Sequence, residues 1–457
     1  MSAPAVAVPT AGGLAASAAR FACGLARDGL PTAVGAHARS TLLYNLVCAV
    51  TAGERAAPAW SMARGTAPAT ATLLLDGERV HVEQAAFANG VLLHARAQDD
   101  THYASQTHPG AAVIPAALAL GESSGADGAR LLAAIVAGYE VTATVGEALC
   151  DPVVERGFRA ASVFGALGAA VAGSVALALD EARSANAIAL GASFACGLAQ
   201  TWTDGADEWS YQLGAAARSG VTAALLARAG VHAAARALEG TQGFAAAFAG
   251  TELAPAWPAE SGGGWRTLEV IHKPYPACNI VQAPVAATVD LVRRHDLSVA
   301  DVRSVRCELH PADRDYPGTL GRGPFAGTGG PLMSAAFCIA AAIVRRGLPL
   351  DVLGGGDERN VDELASRIEI AGDPALPRLG ARIEIETVRG QRLRAELSGE
   401  AASYAWGWDE IVTWARKLGA ESGTPYADAI ERVVDAVAEI EAADSVAQLV
   451  AATVVAR

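Results

Sequence analysis

The sequence predicts a mainly α-helical fold with a smaller α+β second domain. From residue 13 to 250, apolar residues recur at helical spacing, and several of these segments end at a glycine. After the glycines at 262–264 the pattern changes to short β-type runs alternating with helices, and from residue 408 it is helical again. We therefore expect a large all-helical domain built from both chain ends, with an inserted α/β domain. The predicted boundaries are 1–264, 265–402 and 403–457.

The elements follow in order along the chain. Helices are predicted at 13–28, 34–53, 82–96, 110–121, 127–149, 160–179, 184–202, 211–230 and 232–248. Asp76-Gly77 between two short β-type runs predicts a hairpin over 70–80. In the inserted domain, strands are predicted at 267–271, 302–310, 366–371 and 381–398, the last being a hairpin that turns at Arg389-Gly390, and helices at 279–295 and 332–346. The final helices are predicted at 408–418 and 426–455.

The composition is that of a folded, acidic protein. Of the 457 residues, 52% are hydrophobic and 18% are charged, which is too apolar for a disordered chain. The 48 Asp and Glu outnumber the 35 Lys and Arg, giving a net charge of −13. A general nucleic-acid binder needs basic stripes, so nucleic acid is not an expected partner. A local cationic pocket for an acidic substrate stays compatible with this charge.

Three uncharged stretches, 160–179, 184–203 and 323–344, have about the length of a membrane span. They are rich in Ala, Gly and Ser rather than Leu, Ile and Phe, so we interpret them as buried helices and expect no membrane association. Residues 1–20 lack the charged start and compact apolar block of a secretory signal. The seven cysteines are scattered without a CxxC pair, which predicts reduced thiols, a cytoplasmic location and no zinc or iron–sulfur site of local spacing.

The densest polar cluster is Asp99-Asp100-Thr101-His102-Tyr103, followed by Thr107 and His108-Pro109-Gly110. It lies between two predicted helices, and the second helix would begin at the proline, where free N–H groups hold anions. Acid, base and anion donors in one turn are typical of an active-site loop. The alternative is that Asp99 and Thr107 cap helices and the histidines are exposed. Capping explains one or two of these residues but not the whole set.

Other candidates are each open to a structural explanation. Lys273 lies between a strand and a helix, where neighbouring prolines would aim it at a substrate carboxylate; on spacing alone, a rigid turn with a solvated lysine explains it better. Arg159 precedes an uncharged helix and could pair with a carboxylate, or simply end that helix. Trp209, Tyr211 and Gln212 could line a pocket or a surface loop, and Tyr316 lies in a predicted turn.

Several well-known motifs are missing from the sequence. The glycine-rich stretches fit neither GxGxxG nor GxxxxGK[ST], so neither a nucleotide nor a dinucleotide site is predicted. HExxH is also lacking.

Taken together, the motifs resemble those of the MmgE/PrpD family. Asn89-Gly90, His94, Asp99 to His102, His108 to Gly110 and Pro115-Ala116 resemble its "NG…HA…DDTH…HP[SG]…P" block. The segments 165–170 and 214–220 resemble later blocks, and Lys273, Tyr275, Pro276, Cys278 and Gln282 resemble its "K.YP.C...Q" signature. The order and spacing agree over nearly the whole chain.

This family includes 2-methylcitrate dehydratase, cis-aconitate decarboxylase and iminodisuccinate epimerase. The resemblance implies a helical domain, an α/β lid domain, a homodimer, no metal or cofactor, and a site between the domains. It gives His108 as the active-site histidine, Asp100 and Thr101 as part of a polar loop, and Lys273 and Tyr316 as lid residues of the site. We expect His108 to be the catalytic base or acid, and Asp99 or Asp100 either to orient it or to serve as the second acid. Thr101, His102, Tyr103, Arg159, Trp209 and Gln212 would contact the substrate.

Four positions depart from the decarboxylase and epimerase branches. Ala97 replaces an Asp, Arg159 a His, Trp209 a Lys and Gln212 a His. About half of the polar pocket is thus exchanged, which suggests a less charged or bulkier substrate. The expected activity is a cofactor-free lyase acting by proton transfer beside a carboxylate, first of all a dehydratase of a small hydroxy acid. The alternatives are a decarboxylase, an epimerase or isomerase of a larger biosynthetic intermediate, and a non-catalytic binding scaffold.

Overall fold

The computed structural model describes residues 12–253, 264–354, 359–399 and 404–455. It contains a helical domain and a smaller domain built around a sheet, as predicted. The helices before residue 230 are α1 (Gly13–Asp28), α2 (Thr32–Val50), α3 (Ala57–Ala63), α4 (Val82–His94), α5 (Pro109–Ser124), α6 (Gly128–Glu155), α7 (Ala160–Ala176), α8 (Glu181–Ser193), α9 (Gln200–Asp204) and α10 (Glu208–Arg228). The predicted hairpin is present as β1 (Ala71–Thr72) and β2 (Arg79–Val80), paired antiparallel.

The centre of the helical domain is formed by α4, α5, α6, α7 and α10. Every residue of α7 is buried. Small residues allow these helices to approach closely: a Cβ added at Gly90 of α4 would lie 2.9 Å from the Cα of Gly214 in α10. The Ala- and Gly-rich composition is therefore explained by backbone-to-backbone packing, in which larger side chains have no space.

The chain's last helices join the same core. These are α16 (Trp408–Ser422), α17 (Thr424–Ala438) and α18 (Ala447–Ala452), and the first two pack on α2. Their buried faces include Ile411, Val433 and Leu449 and belong to one continuous apolar cluster with the N-terminal helices.

The second apolar cluster lies mainly in the inserted domain and also includes Ala97, Trp202 and Trp209 of the helical domain. Its sheet contains β5 (Val302–Leu309), β6 (Ile368–Gly372), β7 (Ala381–Thr387) and β8 (Arg392–Leu397) in the order β6-β5-β7-β8, with β5 and β6 parallel and the other pairs antiparallel. Strand β7 alternates between buried and half-buried residues, the period-2 pattern that predicted it. The helices of this domain are α11 (Gln282–Arg294), α12 (Pro311–Arg314), α13 (Gly329–Met333), α14 (Ala335–Arg345) and α15 (Arg359–Ala365).

A second two-stranded ladder joins the polar loop that follows α4 to the segment that precedes Lys273. Strand β3 (Thr101–His102) pairs antiparallel with β4 (Val270–Ile271), in the register Thr101 with Ile271 and His102 with Val270. The predicted strand 267–271 is thus shorter than expected, because Arg266–Glu269 forms a 3₁₀ turn. It also lies outside the four-stranded sheet, and it brings the Lys273 segment against the acidic and histidine-rich loop.

Three helix predictions are wrong in extent. The predicted helix 232–248 is absent apart from a π-helical turn at Ala245–Ala249, since the chain folds into successive turns around Gly240 and Gly243. In the segment predicted as a helix over 184–202, the helix ends at Ser193, and Leu198 then forms a β-bridge with Phe158. The segment predicted as 426–455 is divided between α17, a 3₁₀ turn and α18.

Helix α6 is the one helix of the described chain that is long and apolar enough to cross a membrane, and 89% of its most apolar window is buried within the fold. A buried core helix passes the same test of length and composition as a membrane span. Its burial therefore favours a role in the core.

We predict that Gly220→Ala destabilises the protein by about 1–3 kcal/mol, as overpacking of a close helix contact does. A Cβ at Gly220 would lie 2.5 Å from backbone atoms of Ala169 and Ala170 in α7, which a side-chain rotation cannot relieve. The matched control is Gly24→Ala in α1, whose added Cβ would meet only the Arg27 side chain at 3.9 Å. Thermal unfolding should give a lower midpoint for Gly220→Ala and an unchanged or higher one for the control. Equal midpoints would contradict this account of the packing.

Candidate active site

A cleft between the two domains collects most of the predicted residues. It encloses about 880 Å³, counting the part that opens to solvent. The helical domain contributes His94, Ala97, Thr101, Tyr103, Gln106, His108, Val154, Phe158, Arg159, Ala160, Ala161, Ala199, Trp202 and Trp209. Across the cleft lie Lys273, Cys278, Asn279, Ile280, Tyr316, Leu332, Met333, Arg378 and Leu379. The walls are thus mostly apolar, with a small number of charged groups.

The carboxylate of Asp99 lies fully buried beneath this cleft. Its Oδ2 is 2.8 Å from His94 Nδ1 and 3.7 Å from His108 Nδ1, and its Oδ1 is 3.5 Å from Lys273 Nζ. Burial alone would raise the pKa of Asp99, but attraction to His94, Lys273 and His108 outweighs burial and lowers the pKa. Asp99 is therefore a fixed negative charge that holds groups from both domains.

His94 connects Asp99 to Arg159. Arg159 Nη2 lies 2.7 Å from His94 Nε2. Because a guanidinium only donates hydrogen bonds, Nε2 must accept, and the imidazole proton is on Nδ1, where it is donated to Asp99. Burial lowers the pKa of His94 to about 4, so the ring is neutral and passes hydrogen bonds between the two charges.

Arg159 is held in place on three sides. Besides His94, it donates from Nη1 to the backbone carbonyl of Trp209, and its guanidinium carbon lies 4.7 Å from the centroid of the Trp202 ring. Burial lowers its pKa to about 10, which still leaves it charged at neutral pH. Arg159 is thus a fixed cation in the cleft wall rather than a charge that only ends a helix.

His108 presents one free ring nitrogen to the cleft. Its Nδ1 lies 3.0 Å from the carbonyl oxygen of Asp100 and 3.2 Å from Thr101 Oγ1. Since a carbonyl only accepts, the proton is on Nδ1, and Nε2 carries a lone pair with no hydrogen bond from the described residues. The ring is largely enclosed, and this burial lowers its pKa well below the usual value. A neutral, oriented imidazole of this kind is suited to accept a proton.

Lys273 is buried and held in place by residues of the helical domain, unlike the solvated lysine that spacing favoured. Its side chain is 1% exposed, and Nζ donates to the carbonyl of Ala97. The backbone N–H of Lys273 donates to the Tyr44 hydroxyl at 2.9 Å, and Gln98 Nε2 donates to the Lys273 carbonyl at 3.2 Å. The lysine is thus fixed beside Asp99 while its ammonium group still borders the cleft.

Asp100 does not reach the cleft. Its Oδ2 accepts a 2.6 Å hydrogen bond from the Tyr139 hydroxyl, and its Oδ1 accepts from the backbone N–H of Gly110 at 3.0 Å. A Cβ on Gly110 would lie 2.6 Å from that oxygen, so glycine is required for this approach. Burial, together with repulsion from Asp99, raises the pKa of Asp100 to about 7 despite these hydrogen bonds. The predicted catalytic carboxylate is placed as a support for the loop.

His102 and Gln212 also lie away from the cleft. On the two-residue strand β3 neighbouring side chains point to opposite faces, so Thr101 faces the cleft and His102 points towards Glu147 and Glu269. Gln212 donates to the carbonyl of Leu198, on the outer side of α10. The placement expected for these two residues is therefore corrected. Trp209 does line the cleft, whereas Tyr211 packs against Phe87.

The comparisons with known proteins agree with this architecture. The MmgE/PrpD N-terminal domain matches residues 16–255, and the MmgE/PrpD C-terminal domain matches residues 275–439. The chain belongs to the MmgE/PrpD family.

Three proteins that are similar to this chain are named as a cis-aconitate decarboxylase or as a protein like one. The chain is 28% identical to a cis-aconitate decarboxylase of Aspergillus terreus over 356 residues, 73% of this chain and 72% of that protein. It is 36% identical to the human cis-aconitate decarboxylase over 154 residues, 31% of this chain and 30% of the human one. A cis-aconitate decarboxylase-like protein of Aspergillus oryzae is 32% identical over 153 residues, 32% of each chain.

Sequence reasoning did not select two charged or polar groups of this MmgE/PrpD cleft. His94 was part of the family motif, but a lone histidine on an apolar helix gives no further signal. Arg378 is not part of any sequence motif. Its side chain is 43% exposed, and its Nε donates a 2.6 Å hydrogen bond to the buried Asp313. Its guanidinium carbon lies 5.9 Å from the centroid of the Tyr103 ring. Its two Nη groups have no hydrogen bond from the described residues and are available to a ligand.

We predict that Asp100→Asn makes stability less dependent on pH. A carboxyl whose pKa is about 7 in the folded state and about 3.9 unfolded favours folding at low pH. That contribution is lost as pH rises from about 4 to 7, because the unfolded state gives up its proton first. Asparagine keeps the shape without the charge and should gain stability relative to wild type above pH 7, by up to a few kcal/mol.

Thermal unfolding between pH 5 and 8 measures this difference. The control is Asp151→Asn, an exposed residue of α6, which should follow the wild-type profile. If the stability of Asp100→Asn changes with pH in parallel with that of wild type, the pKa of Asp100 is not raised in the folded protein.

Proposed function

We propose that this protein is a lyase acting on a small carboxylic acid, and that it eliminates water after removing a proton from a carbon next to a carboxylate. The observation that carries this proposal is the state of His108. Its Nδ1–H is bound by the Asp100 carbonyl and its Nε2 lone pair faces the cleft. Since the lowered pKa keeps this ring neutral at rest, it favours a reaction that begins with proton removal.

In the proposed step, His108 Nε2 takes the proton and the C–H electron pair moves towards the adjacent carboxylate. Lys273 and Arg159 lie beside the cleft and would stabilise this enolate-like charge. The electrons then form a carbon–carbon double bond as the C–O bond to the hydroxyl breaks. The Tyr316 hydroxyl lines the cleft and would give the leaving oxygen its proton, so water departs. Burial raises the pKa of Tyr316, which keeps the phenol protonated until that step.

The charges of the cleft indicate a substrate with more than one carboxylate. Lys273, Arg159 and Arg378 line it, and among the described residues Asp99 is the carboxylate beneath it. Lys273 and Arg159 are occupied by Asp99 and His94, whereas the Nη groups of Arg378 are open. We infer that Arg378 holds a carboxylate remote from the reacting carbon, since a guanidinium fork binds carboxylates bidentately.

Decarboxylation is the second candidate, and the names of the relatives favour it. Apolar walls such as Trp202, Phe158 and Ile280 would destabilise a carboxylate about to leave as CO₂. The carbanion left behind would then need a proton. Tyr316 or Lys273 would have to supply it, because His108 is unprotonated at rest.

A substrate panel separates the candidates. Small hydroxy-di- and tricarboxylates and their unsaturated counterparts are incubated with the enzyme in ²H₂O, and products are followed by NMR and by CO₂ release. Reversible water loss without CO₂ supports the proposal. Release of CO₂ would show decarboxylation instead of dehydration. A deuterated product of inverted configuration, formed without loss of water or CO₂, would show epimerisation instead. No turnover and no binding of any carboxylate would overturn the proposed lyase.

We predict that His108→Ala lowers kcat by about 10²–10⁴-fold with little change in KM, because a general base acts in the transition state. For the wild type, kcat/KM should fall as pH falls through the pKa of His108, when the ring becomes protonated and inactive. Since that pKa is lowered, activity should persist below pH 6.5, the ordinary range of histidine.

His295→Ala, an exposed histidine of the inserted domain, is the matched control and should keep wild-type kinetics. Circular dichroism checks that both variants fold. A folded His108→Ala that turns over at the wild-type rate would remove His108 from the mechanism.

We predict that Arg378→Ala raises KM by about 10–100-fold, the value of a charged hydrogen-bonded contact, while kcat changes less. Arg378→Lys keeps a charge near Asp313 but lacks the planar fork, so it should fold normally and recover only part of the affinity. Arg394→Ala, whose side chain is exposed and pairs with Glu384, is the control. An unchanged KM in folded Arg378→Ala would show that this arginine does not hold substrate.

The expected homodimer and cytoplasmic location remain proposals. Sedimentation at micromolar concentration checks the dimer, and a monomer there would contradict it.

A further inference from the structure

Three potential metal ligands converge on the far side of β3 from the cleft. They are His102 of β3, Glu147 of α6 and Glu269 of the turn before β4, here called the outer site. Their nearest nitrogen and oxygen atoms all lie within 4.8 Å of one another. The ladder between β3 and β4 produces this arrangement, because His102 pairs with Val270, the residue after Glu269.

The orientation of His102 is unusual for a buried histidine. Its side chain is 1% exposed, yet Nε2 has no hydrogen-bond partner, and the nearest acceptors are Glu147 Oε1 and Glu269 Oε2 at 3.6 Å each. The other ring nitrogen, Nδ1, lies 2.8 Å from Ser105 Oγ. A histidine that holds a metal commonly has this arrangement, with one nitrogen facing the ion and the other held by a neighbouring polar group.

The spacing of the three ligand atoms fits a small cation. Bonds of about 2.0–2.2 Å in a tetrahedral site place neighbouring ligand atoms roughly 3.4 Å apart. The two 3.6 Å separations from His102 Nε2 are close to this value. The second oxygen of Glu147 accepts from Arg266 Nε at 3.0 Å, which orients the carboxylate and leaves Oε1 for the site. Glu269 is 57% exposed, so an ion has a path from solvent.

We propose that the outer site binds one divalent transition-metal ion of the zinc type, through His102, Glu147 and Glu269, with water at the open position. One imidazole nitrogen with two carboxylate oxygens is a donor set that zinc accepts. The ion ties α6 to the β3–β4 ladder, which carries Thr101 on one strand and leads to Lys273 on the other. It faces away from the cleft, so its role is to stabilise the ladder rather than to take part in the reaction.

The competing explanation is that His102 pairs directly with the two carboxylates, without a metal. The two explanations differ in their response to added ion. A metal site predicts a rise in unfolding temperature with Zn²⁺ and saturation at one ion per chain. Direct pairing predicts no specific response to Zn²⁺.

The test uses metal-free full-length protein prepared with chelator, titrated with Zn²⁺ by calorimetry and with Co²⁺ by visible absorption. We expect one ion per chain, a higher unfolding temperature, and unchanged turnover of an accepted substrate. Glu269→Gln, at an exposed position that cannot disturb the core, should weaken binding at least tenfold, and His102→Ala should abolish it. Glu155→Gln, an exposed residue of the same helix as Glu147, is the control and should bind as wild type.

Failure to bind Zn²⁺ or Co²⁺ overturns the proposal, as does binding of the same strength in Glu269→Gln and wild type. Since turnover is measured separately, this result is independent of whether the protein is a dehydratase.

Discussion

The buried carboxylate of Asp99 is the interaction on which the cleft depends. An ionised group without solvent is very costly unless its partners are close and well oriented. Here the partners come from three places: His94 from the end of α4, His108 from the start of α5, and Lys273 from the segment after β4. The contacts that stabilise the Asp99 carboxylate therefore also position His108 as the base, Lys273 as a cation, and His94, which links Asp99 to Arg159.

The connection between the domains is made at the same place. The β3–β4 ladder, the Tyr44 hydroxyl and the Gln98 amide all bind the backbone on either side of Lys273. The lysine thus belongs structurally to the helical domain, although the chain enters the inserted domain just after it. Tyr316 and Arg378 lie on the inserted domain itself, and among the described residues neither has a hydrogen bond to the helical domain, although the Arg378 guanidinium lies over the Tyr103 ring. A movement between the domains would change their distance to His108 while leaving the distance from Lys273 to Asp99 unchanged.

The fold and about half of the candidate site could be predicted from the sequence, and individual residues show why the rest could not. Helical periodicity located α4 to α7 because their buried faces are long. The alanine-rich segment at 232–248 has the composition of a helix, but Gly240 and Gly243 divide it into turns. His108 and Thr101 were found because polar groups cluster there. Which way His102 points depends on the alternation of a two-residue strand, and Arg378 enters the cleft through a loop held by Asp313, so neither could be obtained from spacing.

Two of the exchanged positions, Trp209 and Arg159, form part of the wall of the cleft. Trp209 stands where related branches carry a lysine, yet its indole N–H is used by Thr328 and its ring packs edge-on against His94, so it is a wall rather than a donor. Arg159 stands where a histidine is usual, and it adds a permanent cation on the same side. The guanidinium carbon of Arg159 lies 4.7 Å from the centroid of the Trp202 ring, so this cation is set against an aromatic surface. A cleft that combines fixed cations with aromatic walls is compatible with the small carboxylic acid proposed above as the substrate.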